Sequence, residues 1–314
     1  MIYIIGHIKP DLDSAVSAVA LKYLFDKMAC FERPDAQPVL AGPANYETKV
    51  IFKKFKTPLP KILTSTGIKT SDRFILVDHN EASQRLAGIQ AEQITDIFDH
   101  HSAKISLPKA IFINIKPWGS TCTLINYLME TAKVKPSKKL AGLMISAILS
   151  DTQGFKSSTT TAKDQAAVKQ LNKIAQVEKI RQLTLEIFKA KSSLRGLTTE
   201  EILTKDYKLF DFGGKKVFIN QIETVEQEKI IKNSVQLIKE LKKVKKGMGV
   251  DLAVCLVSDV LKVNSKILFS VEKEKIVVKA FPEARKVKNG VRDIGPLLSR
   301  KKEIAPAIEK AILS

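Results

Sequence analysis

The first half of the chain alternates short apolar runs with stretches of helical periodicity. Ile2 to Ile5, Phe74 to Val77 and Ile94 to Phe98 each have the length of a buried strand. A helix-like stretch from Ser14 to Asp26 follows the first run. Alternation of this kind favours a parallel sheet flanked by helices, so we expect an α/β fold.

Later stretches extend the helical pattern. Thr121 to Met129 and Ser137 to Leu149 predict two helices, and the second is so apolar that we expect it to be buried, with Asp151 at its end. A helical region from Thr161 to about Ala190 follows. The segment Lys189 to Thr199 then loses clear periodicity and is the predicted linker.

The remaining sequence predicts a smaller second domain. It contains four β-rich runs: Lys216 to Asn220, Leu252 to Val257, Lys266 to Ser270 and Ile276 to Lys279. We therefore predict a first domain at residues 1–188, a hinge at 189–199 and a mixed-sheet α/β domain at 200–314. A length of 314 residues suits two domains.

The four histidines share one sequence context, because each lies beside a carboxylate directly after an apolar run. His7 occurs in GHIKPDLDS, His79 in VDHN, and His100 with His101 in FDHH. A lone histidine is more often a packed or surface residue than a ligand. Four in the same context favour a metal site.

Loops that leave the carboxyl ends of parallel strands converge on one crevice. Six residues occupy such positions: His7, Asp11, Asp13, Asp78, Asp99 and His100. Asp151 follows the apolar helix and could enter the same crevice. Carboxylates gathered in one cleft repel each other unless a divalent cation compensates them. Imidazole and carboxylate ligands without thiolates favour manganese, cobalt, iron or zinc, and the carboxylate excess suits manganese. Two such ions predict hydrolysis of a phosphoester or phosphoanhydride.

Basic residues indicate where an anion could bind. A Gly-Pro turn is followed by Ser299, Arg300, Lys301 and Lys302. Arginine and lysine together bind phosphate oxygens well, so this cluster could bind an anion. The alternative interpretation of the cluster is a solvated helix start. The formal net charge of +19 suits nucleic acid, anionic membranes and phosphorylated substrates alike. Lys232 to Lys246 has no aromatic residue that would stack on bases, which favours a solvated face on an amphipathic helix. The apolar face expected for this helix consists of Ile231, Val235, Ile238, Leu241 and Val244, which recur at helical spacing among the lysines.

Cysteine usage and hydropathy indicate in which cellular compartment the protein resides. Cys30, Cys122 and Cys255 are odd in number and have no ligand-like spacing, so we expect neither disulfides nor a zinc knuckle. This pattern predicts a reducing, cytoplasmic compartment. The apolar runs are too short to cross a bilayer, so we expect no membrane association.

The motifs GHIKPDLDS, VDHNE, DHH, Ser150-Asp151 and SRKK resemble the family II, manganese-dependent inorganic pyrophosphatases of the DHH phosphoesterase superfamily. DHH alone would indicate only the superfamily, whereas SRKK and the stretch Lys116 to Thr123 narrow the resemblance. It implies hydrolysis of pyrophosphate to two phosphates by water that two Mn²⁺ ions activate, with Co²⁺ as an alternative and Mg²⁺ accompanying the substrate. It also implies a homodimer formed through the first domain.

The resemblance further implies roles for individual residues. One ion is held by His7, Asp11 and Asp78, and the other by Asp13, Asp78, His100 and Asp151, so that Asp78 bridges the two. The implied substrate-binding residues are His101, Lys208, Arg300 and Lys301, with Lys205 as a near neighbour of Lys208. The implied catalytic set is Asp78, His101, Arg300 and Lys301. His79 and Asp99 are expected to orient ligands, and Ser299 to shape or cap the turn before Arg300.

Three positions depart from the family pattern. Lys9 stands where an Asn is usual, Leu12 where a Thr is common, and Glu303 where a Gln usually follows the two lysines. The alternative functions are an exopolyphosphatase or nucleotide phosphatase with the same metal chemistry, or a non-catalytic protein that binds phosphate or nucleic acid. The complete set of ligand residues argues against the last. We therefore expect pyrophosphate, and no nucleic acid, as the partner.

Overall fold

A computed structural model describes residues 1–28 and 35–314, so the predicted free thiol of Cys30 lies outside the described residues. The chain forms two compact units, Met1–Lys191 and Ser192–Ser314. Each unit is described by itself below.

The first unit is built on a sheet in which all strand pairs are parallel. In the described residues it has six strands in the order β3-β2-β1-β4-β5-β6. These are β1 (Ile2–Ile5), β2 (Gln37–Leu40), β3 (Lys61–Ile62), β4 (Arg73–Val77), β5 (Ile94–Asp99) and β6 (Phe112–Ile115). The predicted parallel sheet is confirmed, and β1 has the bounds that the sequence indicated.

Helices flank this sheet. They are α1 (Leu12–Lys27), α2 (Tyr46–Lys54), α3 (Thr121–Thr131), α4 (Lys138–Asp151), α5 (Ala162–Ala175) and α6 (Ile180–Lys191). Every residue of α4 from Leu140 to Ser150 is buried, as its apolar sequence predicted. The region from Thr161 to Ala190 is two helices and not one, because Gln176 adopts a left-handed conformation that ends α5.

The second unit is a mixed sheet with helices on two faces. Its strands have the order β11-β12-β10-β9-β8-β7, and only β8 and β9 pair in parallel among the described strands. They are β7 (Tyr207–Phe212), β8 (Lys215–Thr224), β9 (Leu252–Asp259), β10 (Asn264–Phe269), β11 (Arg285–Lys288) and β12 (Val291–Gly295). The predicted mixed α/β domain is confirmed.

Successive residues of the strands face opposite cores. Ile219 packs with the layer that contains α10 (Glu274–Ala280) and α11 (Ala305–Leu313), whereas Phe218 packs with the layer of α9 (Ser234–Gly247). Two further helices complete the unit, α7 (Thr199–Thr204) and α8 (Gln227–Lys232). None of the helices in the described ranges is long and apolar enough to cross a bilayer.

Two sequence-based expectations for the second unit are wrong. The predicted strand Ile276 to Lys279 lies in helix α10, where Val277 packs into the core together with Phe281, the C-cap residue one turn later. Val235 was expected on the apolar face of the lysine-rich helix but is 76% exposed. Leu241 and Val244 are buried on that face as expected, and Leu237 lies there with them.

Candidate active site

Three neighbouring strands deliver the predicted ligands to one edge of the first sheet. His7 follows β1, Asp78 follows β4, and His100 follows β5. Because β1, β4 and β5 are adjacent and parallel, their carboxyl ends meet. Gly6 permits the turn after β1, since a Cβ there would lie 1.7 Å from Ser14 Oγ.

Helix ends supply the remaining carboxylates. Asp11 is the N-cap of α1, where its Oδ1 accepts a hydrogen bond from Ser14 N at 3.0 Å. Asp13 lies in the first turn of α1, and Asp151 is the last residue of α4. The sequence pattern of α1 and α4 thus brings these side chains to the same edge as the strand-end histidines.

Asp78 lies between two groups of potential ligand atoms. Its Oδ2 is 3.5 Å from His7 Nε2, and its Oδ1 is 3.3 Å from His100 Nε2. His7 Nε2 is also 3.6 Å from Asp11 Oδ1, and His100 Nε2 is 3.7 Å from Asp151 Oδ2. Within each group the candidate atoms lie within 4.8 Å of one another, and the groups are His7, Asp11, Asp78 and Asp13, Asp78, His100, Asp151; a third group, Asp78, Asp99, His100 and His101, meets the same distance. The first two groups are the sets expected from the sequence, although the ligand roles themselves stay a prediction.

The backbone at Asp78 adopts an uncommon conformation. Its φ of 60° places it in the left-handed region, which costs energy for a residue other than glycine, although aspartate is among the residues that tolerate it best. This conformation turns the side chain from the end of β4 into the cluster. A strained residue at the meeting point of two ligand groups is typical of a functional site.

The imidazoles are oriented so that one nitrogen faces the carboxylates. His7 Nδ1 donates to Ile8 O at 2.8 Å, and His100 Nδ1 donates to Trp118 O at 2.9 Å. His100 Nε2 is buried and has no hydrogen-bond partner among residues 1–28 and 35–314. A buried nitrogen aimed at carboxylates fits a divalent cation, so the residues present suit the expected metal ions.

The N-terminus of α3 holds Asp13. Thr121 N donates to Asp13 Oδ2 at 2.7 Å, and Asp13 Oδ1 accepts from Ser120 Oγ at 2.7 Å and Cys122 N at 3.1 Å. Thr121 Oγ1 also donates to Asp78 Oδ1 at 3.1 Å. Thr121 therefore connects two predicted ligands, a role that the sequence did not indicate. Burial raises the pKa of Asp13 to about 6, with a further contribution from the charge of Asp78.

The cluster has strongly shifted pKa values. Burial alone lowers the pKa of His7, but the neighbouring carboxylates of Asp11 and Asp78 outweigh it and raise the pKa to about 11. Burial likewise opposes the charged form of His100, yet Asp78 raises its pKa to about 9. Burial and the neighbouring carboxylates raise the pKa of Asp151 well above its ordinary value. Without metal, protons neutralise this cluster; a divalent cation would replace them.

His79, Asp99 and His101 surround the cluster. Asp99 is fully buried, and its Oδ1 accepts from His101 Nδ1 at 2.9 Å and from His100 N at 2.7 Å. His101 is held in this way with about half of its side chain exposed. His79 Nδ1 donates to Val77 O at 2.9 Å, and burial lowers the pKa of His79. Asp99 thus orients the DHH segment, as expected, whereas His79 is anchored to the strand behind Asp78.

The second unit gathers the predicted anion-binding residues. Arg300 begins a π-helical turn, Arg300–Ile304, and its guanidinium donates to Asp206 Oδ1 at 2.7 Å. Lys208 lies on β7, and the neighbouring amine of Lys301, within hydrogen-bonding reach, lowers the pKa of Lys208. Mutual repulsion of this kind would be relieved by an anion. Lys205 precedes β7 and is exposed.

Comparison with known proteins identifies the family. The family model for the DHH family, N-terminal domain, matches residues 1–148, and the DHHA2 domain matches residues 185–311. A manganese-dependent inorganic pyrophosphatase of Methanothrix thermoacetophila is 37% identical over 313 residues, covering 99% of this chain and 98% of the relative. The chain belongs to the manganese-dependent inorganic pyrophosphatase family.

Two further comparisons agree. A pyrophosphatase of the same name from Bacillus subtilis is 35% identical over 312 residues, covering 99% of this chain and 98% of the relative. A Methanococcus jannaschii structure assigned to family II inorganic pyrophosphatases covers 100% of both chains at 35% identity, with a TM-score of 0.64. This pyrophosphatase-family chain therefore matches its relatives along their whole length.

The departures from the pyrophosphatase-family pattern have structural counterparts. Lys9 has a φ of 57°, a conformation that the usual Asn adopts more readily. Leu12 is buried in α1. Glu303 Oε2 accepts from Leu298 N at 3.0 Å and from Ser299 N at 2.7 Å, while Ser299 Oγ accepts from Lys302 N at 3.1 Å. The charge of Glu303 is therefore engaged in holding the turn before Arg300, and Ser299 is its cap.

Proposed function

We propose that this chain hydrolyses inorganic pyrophosphate to two phosphates with two divalent ions, Mn²⁺ in the first instance. The observation that carries the proposal is the position of Asp78, whose two oxygens face different histidines at 3.5 and 3.3 Å. The names of the full-length relatives supply the substrate. Co²⁺ suits the same imidazole and carboxylate donors, and Mg²⁺ would accompany the pyrophosphate.

The two groups around Asp78 would each hold one ion. His7, Asp11 and Asp78 would hold the first, and Asp13, Asp78, His100 and Asp151 the second. When bound, two divalent ions polarise phosphoryl oxygens and make water a stronger nucleophile at neutral pH. The chain itself orients the donors: carbonyl groups fix the imidazoles, and the α3 N-terminus fixes Asp13.

The remaining predicted residues would bind the substrate's phosphate oxygens. His101, with its exposed ring anchored on Asp99, would donate a hydrogen bond to one phosphate. Lys208, Arg300 and Lys301 would neutralise negative charge on the substrate. We further propose that residues 189–199 act as the hinge between the units; residues 189–191 of this segment are the last turn of α6.

Phosphate release from a panel of substrates tests this function. Pyrophosphate, triphosphate, longer polyphosphate and a dinucleotide are each supplied with Mn²⁺ and, separately, with Mg²⁺. We expect pyrophosphate to be hydrolysed fastest and Mn²⁺ to give the higher rate. Faster release from longer polyphosphate would instead assign an exopolyphosphatase, and tight binding without phosphate release would assign a non-catalytic protein.

We also propose a homodimer formed through β6. In the described part of the chain β6 is the last strand of its sheet, and its Phe112 and Ile113 are 48% and 45% exposed. An apolar edge strand favours pairing with a second copy. Ile113→Lys should therefore give monomers in light scattering, whereas Leu209→Lys, on the exposed edge strand β7, should leave the dimer intact. A monomeric wild-type chain would contradict this proposal.

A cytoplasmic location is part of the same proposal. Cys122 and Cys255 are both free thiols and both buried. Free thiols in a chain with an odd cysteine count suit a reducing compartment.

A further inference from the structure

Asp164, near the start of α5, is a fully buried carboxylate outside the metal cluster. Its oxygens accept from Thr161 N and Thr161 Oγ1, each at 2.7 Å, from Thr123 Oγ1 at 2.6 Å and from Gly119 N at 3.0 Å. The Thr161 contacts form the capping box of α5. The other two reach α3 and the loop before it, which capping does not require.

One peptide unit connects Asp164 to His100. The N–H of Gly119 donates to Asp164, and the carbonyl of the same peptide, on Trp118, accepts from His100 Nδ1 at 2.9 Å. A charged acceptor on the N–H polarises the peptide and strengthens its carbonyl as an acceptor. Gly119 is required here, because a Cβ would lie 2.7 Å from Thr152 Cγ2 and 2.9 Å from Asp164 Oδ2.

A second connection leads from Asp164 to Asp13. Thr123, which donates to Asp164, lies in the first turn of α3. The preceding residues of that turn, Thr121 and Cys122, donate their backbone N–H groups to Asp13. Asp164 therefore fixes the turn that holds one predicted ligand and the peptide that holds another.

We propose that Asp164 is a positioning residue for one of the two metal ions, the one assigned to Asp13, Asp78, His100 and Asp151. This rests on the proposed function, since it takes the two ligand sets as given there. The described hydrogen bonds of Asp164 lead to the backbone groups that hold Asp13 and His100, which belong to this set alone. The shared Asp78 is reached only through the side-chain hydroxyl of Thr121, to which Asp164 has no described hydrogen bond. Loss of Asp164 should therefore weaken the binding of this ion and leave the binding of the ion at His7 and Asp11 unchanged.

Manganese titration of metal-free Asp164→Asn tests the inference. An amide presents an N–H₂ group where the carboxylate accepts hydrogen bonds, so the Gly119 and Thr161 donors lose acceptors. We expect one dissociation constant to stay at its wild-type value and the other to rise about 10- to 100-fold, the usual effect of losing a group that orients a ligand. Hydrolysis should recover when manganese is raised accordingly.

Asp72→Asn is the matched control. Asp72 is also a buried carboxylate that accepts from backbone N–H, at 2.8 Å from Lys69 N, but it lies just before β4, at the opposite end from Asp78. It should lower the melting temperature and leave both manganese constants unchanged. An equal rise of both manganese dissociation constants in Asp164→Asn, or no rise of either, would overturn the inference.

A milder pair of variants covers the case in which Asp164→Asn does not fold. Thr123→Val removes one donor to Asp164 at nearly constant volume, and Thr123→Ser keeps it. We expect Thr123→Val to weaken the same single ion about tenfold and Thr123→Ser to restore it. Unchanged binding in Thr123→Val would count against the inference. A wild-type chain that binds fewer than two ions would instead overturn the proposed function itself.

Discussion

Adding manganese to the metal-free protein at pH 7.5 is expected to release at least two protons per chain. The pKa of His100 is raised to about 9 and that of His7 to about 11. At pH 7.5 a group with the lower of these pKa values is about 97% protonated, and one with the higher value almost completely so. Each imidazole must lose its proton to bind an ion, so each ion displaces about one. Asp151, with its raised pKa, adds to the count.

The same argument fixes a pH dependence. Each site should gain at least about tenfold in apparent affinity per pH unit between about 6.5 and 8, since the pKa values of His7 and His100 lie above that range. Calorimetric titration in two buffers of different ionisation enthalpy measures the protons released. His7→Gln should lower the number by about one, whereas His101→Gln, outside the predicted ligand sets, should not change it. Release of fewer than one proton by the wild-type chain would refute the reasoning.

Three further predictions concern the proposed metal-binding residues, the proposed substrate-binding residues and the stability of the metal-free protein. Asp78→Ala should abolish hydrolysis and bind markedly fewer than two ions, whereas His79→Ala should lose only about 10- to 100-fold in activity; metal analysis and phosphate release measure both. Arg300→Ala and Lys301→Ala should bind manganese normally but lose hydrolysis. Neutralising the exposed lysines between Lys239 and Lys246 should change the rate of pyrophosphate hydrolysis little, because their charges are screened beyond about 8 Å. The metal-free protein should lose stability as pH rises from about 7 to 9, because folded His7 and His100 keep protons that the unfolded chain releases. The loss should be on the order of 1 kcal/mol per pH unit for each of these two histidines, and urea unfolding at several pH values would contradict this if stability rose instead.

The sequence predicts three neighbouring strands of the first sheet, β1, β4 and β5, because these carry two independent signals, whereas β2, β3 and β6 are not predicted. The run Ile2 to Ile5 is short, apolar and followed by polar residues at a turn, and β1 has those bounds. The run Ile276 to Lys279 has only the apolar signal, which a buried helix turn also produces, and tertiary packing decides for the helix. Val235 similarly fits a helical period but faces solvent, because the period alone does not fix which stripe meets the core.

The sequence likewise predicts some residues of the candidate site and misses others. His7, Asp78 and His100 are visible in the sequence because metal ligands must be particular residue types, and strand ends place them predictably. Asp164 and Thr121 are not visible, because their partners are backbone groups and side chains far away in the chain. The Thr161-x-x-Asp164 spacing indicates a helix start and gives no sign of a contact with Gly119.

The position of β1 in the sheet has a consequence for how the chain folds as it is made. β1 precedes the other described strands of its sheet in the chain, yet it lies inside the sheet and needs both β2 and β4 as neighbours. At about 5–20 residues per second, β4 leaves the ribosome several seconds after β1. During that interval β2 can already pair with one edge of β1, but the other edge lacks its final partner, so this unit should depend on chaperones more than one whose first strand lies at the edge.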